Sequence, residues 1–352
     1  MLGKELKQVM SNISHELTAN HYLVTHDVGP NQNGVRLDNF LKDRYRRRSR
    51  EQIKKAIDSG SITIRRAQSP HLTVGKLKPS YQLIPGDAVL VMSERKPEPD
   101  VCFDYKVLFE DDVLFVINKP ANLPVHPSGR YFFNTLLTHL QTQNGRSPEE
   151  DDQLYYLVHR IDKETSGVLV LTKDKVSCAN LTKQFALRST EKRYLAIVHG
   201  TPPETFDVDL AMNRHTHSAI SLKMFPVLEA DGGQPAQTSF RLLEVAGAFS
   251  LVECFPKTGR QHQIRVHLES VGHPIVGDKL YGMPESEALK FYEGSRLTPE
   301  AEARLILPRH ALHAAGIHFN HPSTGTRMEI RSELPTDLRD FLKKDSLTSQ
   351  YR

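Results

Sequence analysis

Between positions 35 and 92 the apolar residues first follow a helical spacing and then an alternating one. Val35, Leu37, Phe40 and Leu41 fall on one helical face, and Ile53 and Ile57 stand four apart on a second. Ser49 precedes that second segment with Gln52 three positions on, a capping-box pair, and Gly60 closes it. Residues 61–65 then read as a short strand, and Pro85-Gly86-Asp87 as a turn before a strand over 88–92. From 105 onward the pattern predicts strands over 106–109, 113–117, 167–172, 192–198, 236–245, 249–255, 311–319 and 327–331. It predicts helices over 133–142, 174–187, 260–271 and 335–344. The run Gly167-Val168-Leu169-Val170-Leu171-Thr172 is apolar on both faces, as in a strand buried on both sides. Residues 1–20 carry Leu2, Leu6, Val9, Met10 and Ile13 at roughly helical spacing, an amphipathic helix or a frayed extension. Residues 27–34 read as a turn or linker, and the Pro-rich, charged 94–100 as a second linker. The expected class is α+β. Its parts are an N-terminal extension (1–34), a small basic αα-β domain (35–95), a linker (96–104) and a larger domain on a mixed or antiparallel sheet (105–345).

Whole-chain charge changes this picture little, because 46 basic and 42 acidic residues leave only +4. Its distribution matters more: positions 35–100 hold 15 Lys or Arg against 8 Asp or Glu, a local excess of +7. A basic face of that kind suits a polyanion, with Arg46, Arg47, Arg48, Lys54 and Lys55 placed on or between the two helices for phosphate contacts. Cys102, Cys178 and Cys254 are isolated and form no CxxC, which points to reduced thiols and a cytoplasmic location. The first twenty residues contain no apolar core of a signal peptide, and no run approaches 18 apolar residues, so no membrane association is expected. Dinucleotide-binding, P-loop, zinc-protease and nucleophile-elbow motifs are all missing. His262 and His267 are five apart, and His310, His313, His318 and His321 fall around a strand, so neither group forms a recognised set of metal ligands.

Candidate chemistry concentrates in four segments. Asn118-Lys119-Pro120-Ala121-Asn122-Leu123-Pro124 is a Pro-rich loop after a strand. His159-Arg160-Ile161-Asp162-Lys163-Glu164-Thr165-Ser166-Gly167 packs five ionisable residues just before the buried strand, where a loop carboxylate can be held rigidly at a cleft wall. Glu191-Lys192-Arg193-Tyr194 opens a later strand. Lys257-Thr258-Gly259-Arg260-Gln261-His262-Gln263-Ile264-Arg265-Val266-His267 starts a helix that Gly272 and Pro274 close.

These four segments, in this order, resemble the RluA-type pseudouridine synthases, and the resemblance runs over about 105–335. The 35–95 unit resembles the S4 RNA-binding domain through Val35-Arg36-Leu37-Asp38, the basic helix pair, Gly60-Ser61-Ile62-Thr63-Ile64 and Pro85-Gly86-Asp87. It departs from that pattern in a longer, more basic loop over 65–79. The resemblance implies isomerisation of uridine to pseudouridine in RNA, with large-subunit ribosomal RNA as the expected target by analogy of architecture. It implies Asp162 as the catalytic aspartate, Arg265 as its ion-pair partner and Tyr194 as the active-site tyrosine. Arg160 matches the arginine that helps hold the flipped-out nucleotide, Arg260 and His262 are expected to contact RNA, and His159 is structural. Base extrusion gives up stacking energy, which a basic groove offsets. Asp162 serves either proposed route, as nucleophile at C1′ or as base at C2′. No step needs a cofactor, metal or nucleotide donor, and nothing requires more than a monomer. The alternatives are a non-catalytic RNA-binding or ribosome-assembly factor on the same scaffold, a synthase acting on transfer RNA, and, more remotely, an aspartate-dependent hydrolase.

Overall fold

The computed structural model describes residues 13–17, 21–45, 48–66, 69–94, 98–129, 131–144, 154–214, 218–293 and 295–349. The chain divides into two compact units, one of residues 1–100 with 126–154, the other of 101–125 with 155–352. Residues 126–154, placed with the larger domain by the sequence pattern, thus group with the first unit. Within that unit the Glu98 carboxylate accepts from the backbone amides of Phe132, Phe133 and Asn134, and Phe133 packs against Tyr22. Both are tertiary contacts that local patterning does not encode.

The first unit is a five-stranded antiparallel sheet in the order Ile13–Leu17, His21–Asp27, Ala88–Glu94, Ile62–Arg66, Ser69–Thr73. Helices Leu37–Arg44 and Arg50–Asp58 belong to the same unit, and their apolar faces supply Leu37, Phe40, Leu41, Ile53 and Ile57 to a core shared with Ile62, Ile64, Val89 and Val91. Ser49 and Gln52 form the expected capping box. Two expectations change here. Residues 13–17 are a strand where helical spacing suggested a helix, and His21–Asp27 is paired along its length with Ala88–Glu94. The expected 65–79 loop contains the strand Ser69–Thr73, which returns beside Ile62–Arg66.

The second unit is built on a ten-stranded mixed sheet. Its main path runs Thr205–Asp209, Gln237–Ala246, Phe249–Pro256, Glu191–His199, Leu312–Asn320, Ser166–Thr172, Leu114–Lys119, Lys106–Glu110. Arg327–Arg331 pairs with Leu312–Asn320, and Tyr156–Leu157 with Ser166–Thr172. Leu312–Asn320 and Ser166–Thr172 run parallel; the other pairs in this sheet are antiparallel. Every residue of Ser166–Thr172 is buried, as its unbroken apolar run requires. Helix Lys175–Ala186 packs through Leu181 against Val168 and Val170, while Gln263–Ser270 and Thr336–Ser349 contribute Ile264, Leu268, Leu338 and Leu342 to a second core. Helices Glu285–Glu293 and Pro299–Arg304 occupy a stretch for which the pattern predicts no helix or strand. Among the described residues no helix is long and apolar enough to cross a membrane.

One row across this sheet positions the chemistry. Cys254 stands opposite Tyr194, Tyr194 opposite Ala314, Ala314 opposite Gly167 and Gly167 opposite Lys119. A bulge lies between Arg193 and Tyr194 against Leu312–Asn320, and bulges re-aim the side chains beside them. Gly167 has φ +111°, and a Cβ there would lie 2.2 Å from the carbonyl oxygen of Ala314. Only glycine lets the Asp162 loop enter the strand this close to its neighbour.

Candidate active site

Asp162 sits in the loop between Tyr156–Leu157 and Ser166–Thr172, and that loop is held at nearly every residue. The ammonium of Lys119, fully buried, donates to the carbonyls of Pro120 at 2.8 Å, Leu123 at 2.9 Å and Lys163 at 3.1 Å. It thereby ties the Pro-rich loop to the Asp162 loop. Burial, the largest influence, lowers the Lys119 amine to about 7. Glu164 accepts from Lys279 Nζ at 2.6 Å and from the His310 amide at 3.1 Å. Thr165 Oγ1 bonds His310 Nε2 at 2.8 Å, and Ser166 Oγ bonds His313 Nδ1 at 2.9 Å. His159 Nε2 accepts from the Val170 amide at 3.0 Å and its ring stacks on Phe185.

Arg265 approaches Asp162 from helix Gln263–Ser270. Its Nη1 donates to Asp162 Oδ2 at 2.8 Å. Its Nε and Nη2 donate to the two carboxylate oxygens of Asp278 at 2.7 and 2.8 Å. Asp278 also accepts from the amides of Leu280 and Tyr281. The guanidinium is therefore fixed by one buried carboxylate and presents its remaining edge to the other. The Asp278 side chain is 0% exposed and that of Arg265 6%, against 21% for Asp162, so only Asp162 meets solvent appreciably. Burial raises the cost of charge on Asp162, but His262, Arg265 and His310 outweigh it and hold the carboxyl well below the usual range. At neutral pH that role falls to Arg265, because burial, followed by the Arg265 charge, lowers both His262 and His310 to about 4.

The turn ahead of the helix is shaped by Gln263. Its Oε1 accepts from Thr258 Oγ1 at 2.7 Å and the Arg260 amide at 3.0 Å, while Nε2 donates to the Gln237 carbonyl and Thr238 Oγ1. His262, at the helix N-cap, takes the left-handed conformation with φ 55°. This places its ring inward, with Nδ1 2.9 Å from the Tyr281 hydroxyl and Nε2 3.9 Å from Asp162 Oδ2. The Tyr281 oxygen also accepts from the Met224 amide, so the Tyr281 hydroxyl links the His262 ring to the backbone beside it. His262, expected to contact RNA, is thus part of the floor around the carboxylate. His267 is fully buried and bonds Thr238 Oγ1 and the Leu210 carbonyl.

A cavity of about 500 Å³ opens over Asp162, within the size of pockets that take small ligands (roughly 300–1,000 Å³). It brings together Arg160, Asp162, Tyr194, Arg260, His262 and Arg265, six of the residues singled out in sequence. Burial, and then the charge of Asp162, raise the Tyr194 phenol well above its ordinary range, so its hydroxyl stays protonated. Arg160 and Arg260 are exposed at the rim, and Arg260 Nε donates to the Pro235 carbonyl at 3.3 Å. Arg48, Lys54 and Lys55 lie in the first unit. Arg48 is committed to the Tyr45 ring and Ser93 Oγ, and Lys55 pairs with Glu51. Arg46 and Arg47 lie outside the described residues. Sequence reasoning missed Asp278 and Tyr281, whose only trace is an acid in the turn after Ile275-Val276-Gly277, and it assigned no role to Lys119 or Lys192.

Four histidines, His310 and His313 buried and His159 and His262 partly so, make the fold sensitive to acid. His159 is lowered to about 3, and His262, His310 and His313 to about 4, in each case chiefly by burial. Unfolded histidines titrate near 6.5 (about). Stability is therefore full above that value and is lost as pH falls toward about 4, where the unfolded chain binds more protons than the folded one. Thermal unfolding followed from pH 7 to 4 is expected to show a steadily falling midpoint. A midpoint flat to pH 4.5 would contradict the neutral buried histidines.

Comparison with known proteins gives a consistent picture. The family described as RNA pseudouridylate synthase matches residues 113–270. A ribosomal large subunit pseudouridine synthase D of Zymomonas mobilis is 33% identical over 88% of this chain and 93% of its own length. A ribosomal large subunit pseudouridine synthase C of Yersinia pestis is 31% identical over 90% and 93%. Among solved structures, human RNA Pseudouridylate Synthase Domain Containing 4 aligns with a TM-score of 0.52 at 29% identity, over 68% of this chain and 92% of its own.

Proposed function

The chain belongs to the RNA pseudouridylate synthase family, of the RluA type, and from that membership we propose that its substrate is large-subunit ribosomal RNA and that Asp162, Tyr194 and Arg265 carry the reaction. The protein is an RNA pseudouridine synthase, an isomerase of uridine in RNA. The observation that supports Asp162 as the reacting group is its ion pair with a guanidinium that a second, fully buried carboxylate fixes in place. An ionised carboxylate at the floor of a nucleoside-sized cavity serves either as nucleophile at C1′ or as base at C2′. Both routes release uracil, turn it, and rejoin it through C5 with loss of the C5 proton.

Tyr194 presents a ring on which the base stacks and a protonated hydroxyl that donates a hydrogen bond. A phenol held protonated is no base in the resting site. Its own proton must leave before it can take one from C5. Exposure of Arg160 at the rim supports the reading that it enters the gap left by the extruded nucleotide. The ribosomal target rests on relatives whose names specify the large ribosomal subunit. The free thiols of Cys102, Cys178 and Cys254 support a cytoplasmic location. Release of tritium from large-subunit RNA labelled at uridine C5 tests the target. Release from transfer RNA alone would move the substrate there.

The first unit is assigned RNA docking in the manner of an S4 domain, on the strength of its basic helices and its excess of +7 over 35–100. Replacing Lys54 and Lys55 together by Glu is expected to weaken RNA binding about tenfold or more and to flatten its salt dependence by about one to two in log–log slope. Filter binding over a salt series measures this, and an unchanged slope removes the docking role from that helix.

A further inference from the structure

The cavity over Asp162 is lined by six cations, Arg160, Arg188, Lys192, Lys257, Arg260 and Arg265, and by a single carboxylate, Asp162. Arg265 takes that carboxylate and is itself held by Asp278. Among the described residues the other five cations form no ion pair. Two of them stand on one side of the cavity, Lys192 in its wall and Arg188 exposed at its rim. Lys192 is partly buried, and its Nζ donates to the Thr258 carbonyl at 2.7 Å, which fixes the ammonium beside the turn leading to His262. Gly259 lies beside it, a Cβ there falling 3.7 Å from Nζ, and both residues line the cavity. Arg188 follows the end of helix Lys175–Ala186 in the left-handed conformation, with φ 57°. Glycine or asparagine is the usual residue in that position, and an arginine there is held in an uncommon conformation at the rim of a functional site.

We propose that Arg188 and Lys192 form a phosphate subsite that grips one backbone phosphodiester next to the nucleotide entering the cavity. The proposal rests on RNA being the substrate and deepens that reading. Arg188 and Lys192 line one cavity, whose single carboxylate is taken by Arg265; like charges there repel, and an anion placed between them relieves the repulsion. The charge of Arg188, after burial, contributes to lowering the Lys192 ammonium to about 8. A phosphate fixed here anchors the backbone on one side of the extruded nucleotide while Arg160 and Arg260 stand on the rim, so Lys192 acts as a positioning residue rather than a reacting one.

The test uses the full chain and a uridine-containing transcript that the wild type modifies. Lys192→Gln keeps a donor for the Thr258 carbonyl and removes the charge, so it separates the phosphate grip from the tether. It is expected to raise the half-saturating RNA concentration about tenfold and to flatten the salt slope by about one, with a fall in maximal rate of less than about threefold. Arg188→Gln is expected to behave alike, and Lys192→Arg to restore most of the affinity. Replacing the phosphate beside the target uridine by a neutral methylphosphonate should erase the difference between wild type and Lys192→Gln. An unchanged salt slope, a difference that persists on the neutralised RNA, or a loss confined to the maximal rate would each overturn the subsite. Binding is read independently of turnover: wild-type protein that binds RNA but forms no pseudouridine would sink the functional reading, while the binding comparison still decides the subsite.

Discussion

Asp162→Asn is expected to lower pseudouridine formation by about a thousandfold or more while leaving the protein folded and able to bind RNA within about threefold of the wild type. The reason lies in how Arg265 is held. Two of its three carboxylate contacts go to Asp278, so the guanidinium keeps a buried counterion when the charge on Asp162 is removed. An asparagine oxygen can still accept from Nη1. What disappears is the anion proposed to attack C1′ or to take the C2′ proton. Single-turnover rates together with equilibrium binding measure both halves. Turnover retained above one-tenth of wild type would remove Asp162 from the chemistry.

The second large effect is expected at Arg265. Its replacement by Met leaves the wholly buried Asp278 and the largely buried Asp162 without their shared cation, at a cost of about 3–5 kcal/mol in stability as well as loss of activity. The pH dependence carries the sign of the effect. In the wild type both carboxyls are held below their unfolded value (about 3.9), so their contribution is full above that value and is lost as pH falls through the depressed folded range. The variant lacks this contribution, and the gap in stability between the two proteins should narrow as pH drops below about 4. Adding Asp278→Asn to Arg265→Met should recover part of the stability, because it removes the stranded charge, without recovering activity. Denaturant unfolding at two pH values measures both. A single variant as stable as the wild type at pH 7 would mean that the buried pair is not coupled as its geometry indicates.

The parts of this protein that were legible in its sequence are those decided locally. Ser49 and Gln52 announce a helix start through a bond that closes within four residues, and the run from Gly167 to Thr172 announces a strand buried on both sides. Asp162, Tyr194 and Arg265 are named by the family resemblance that their motifs carry, and the fold brings all three to one cavity. Contacts between distant segments were illegible. His21–Asp27 finds its partner more than sixty residues away, and residues 126–154 join the first unit through Glu98 and Tyr22. Asp278 stands outside every motif, and nothing in Val276-Gly277-Asp278-Lys279 announces a counterion. His262 is expected from the sequence only to contact RNA, because a motif gives a side chain's identity and not its direction. The left-handed backbone at that position turns its ring to the floor. Helices Glu285–Glu293 and Pro299–Arg304 are absent from the predicted elements, since their polar composition hides the few apolar positions that pack.

The most direct measurement is a pseudouridine map of total RNA from cells lacking the endogenous gene, complemented with the wild type or with Asp162→Asn. The proposed function predicts one or more sites in large-subunit ribosomal RNA that appear with the wild type and stay unmodified with Asp162→Asn. The same sites appearing with both proteins, or no site responding to either, would contradict an Asp162-dependent isomerase.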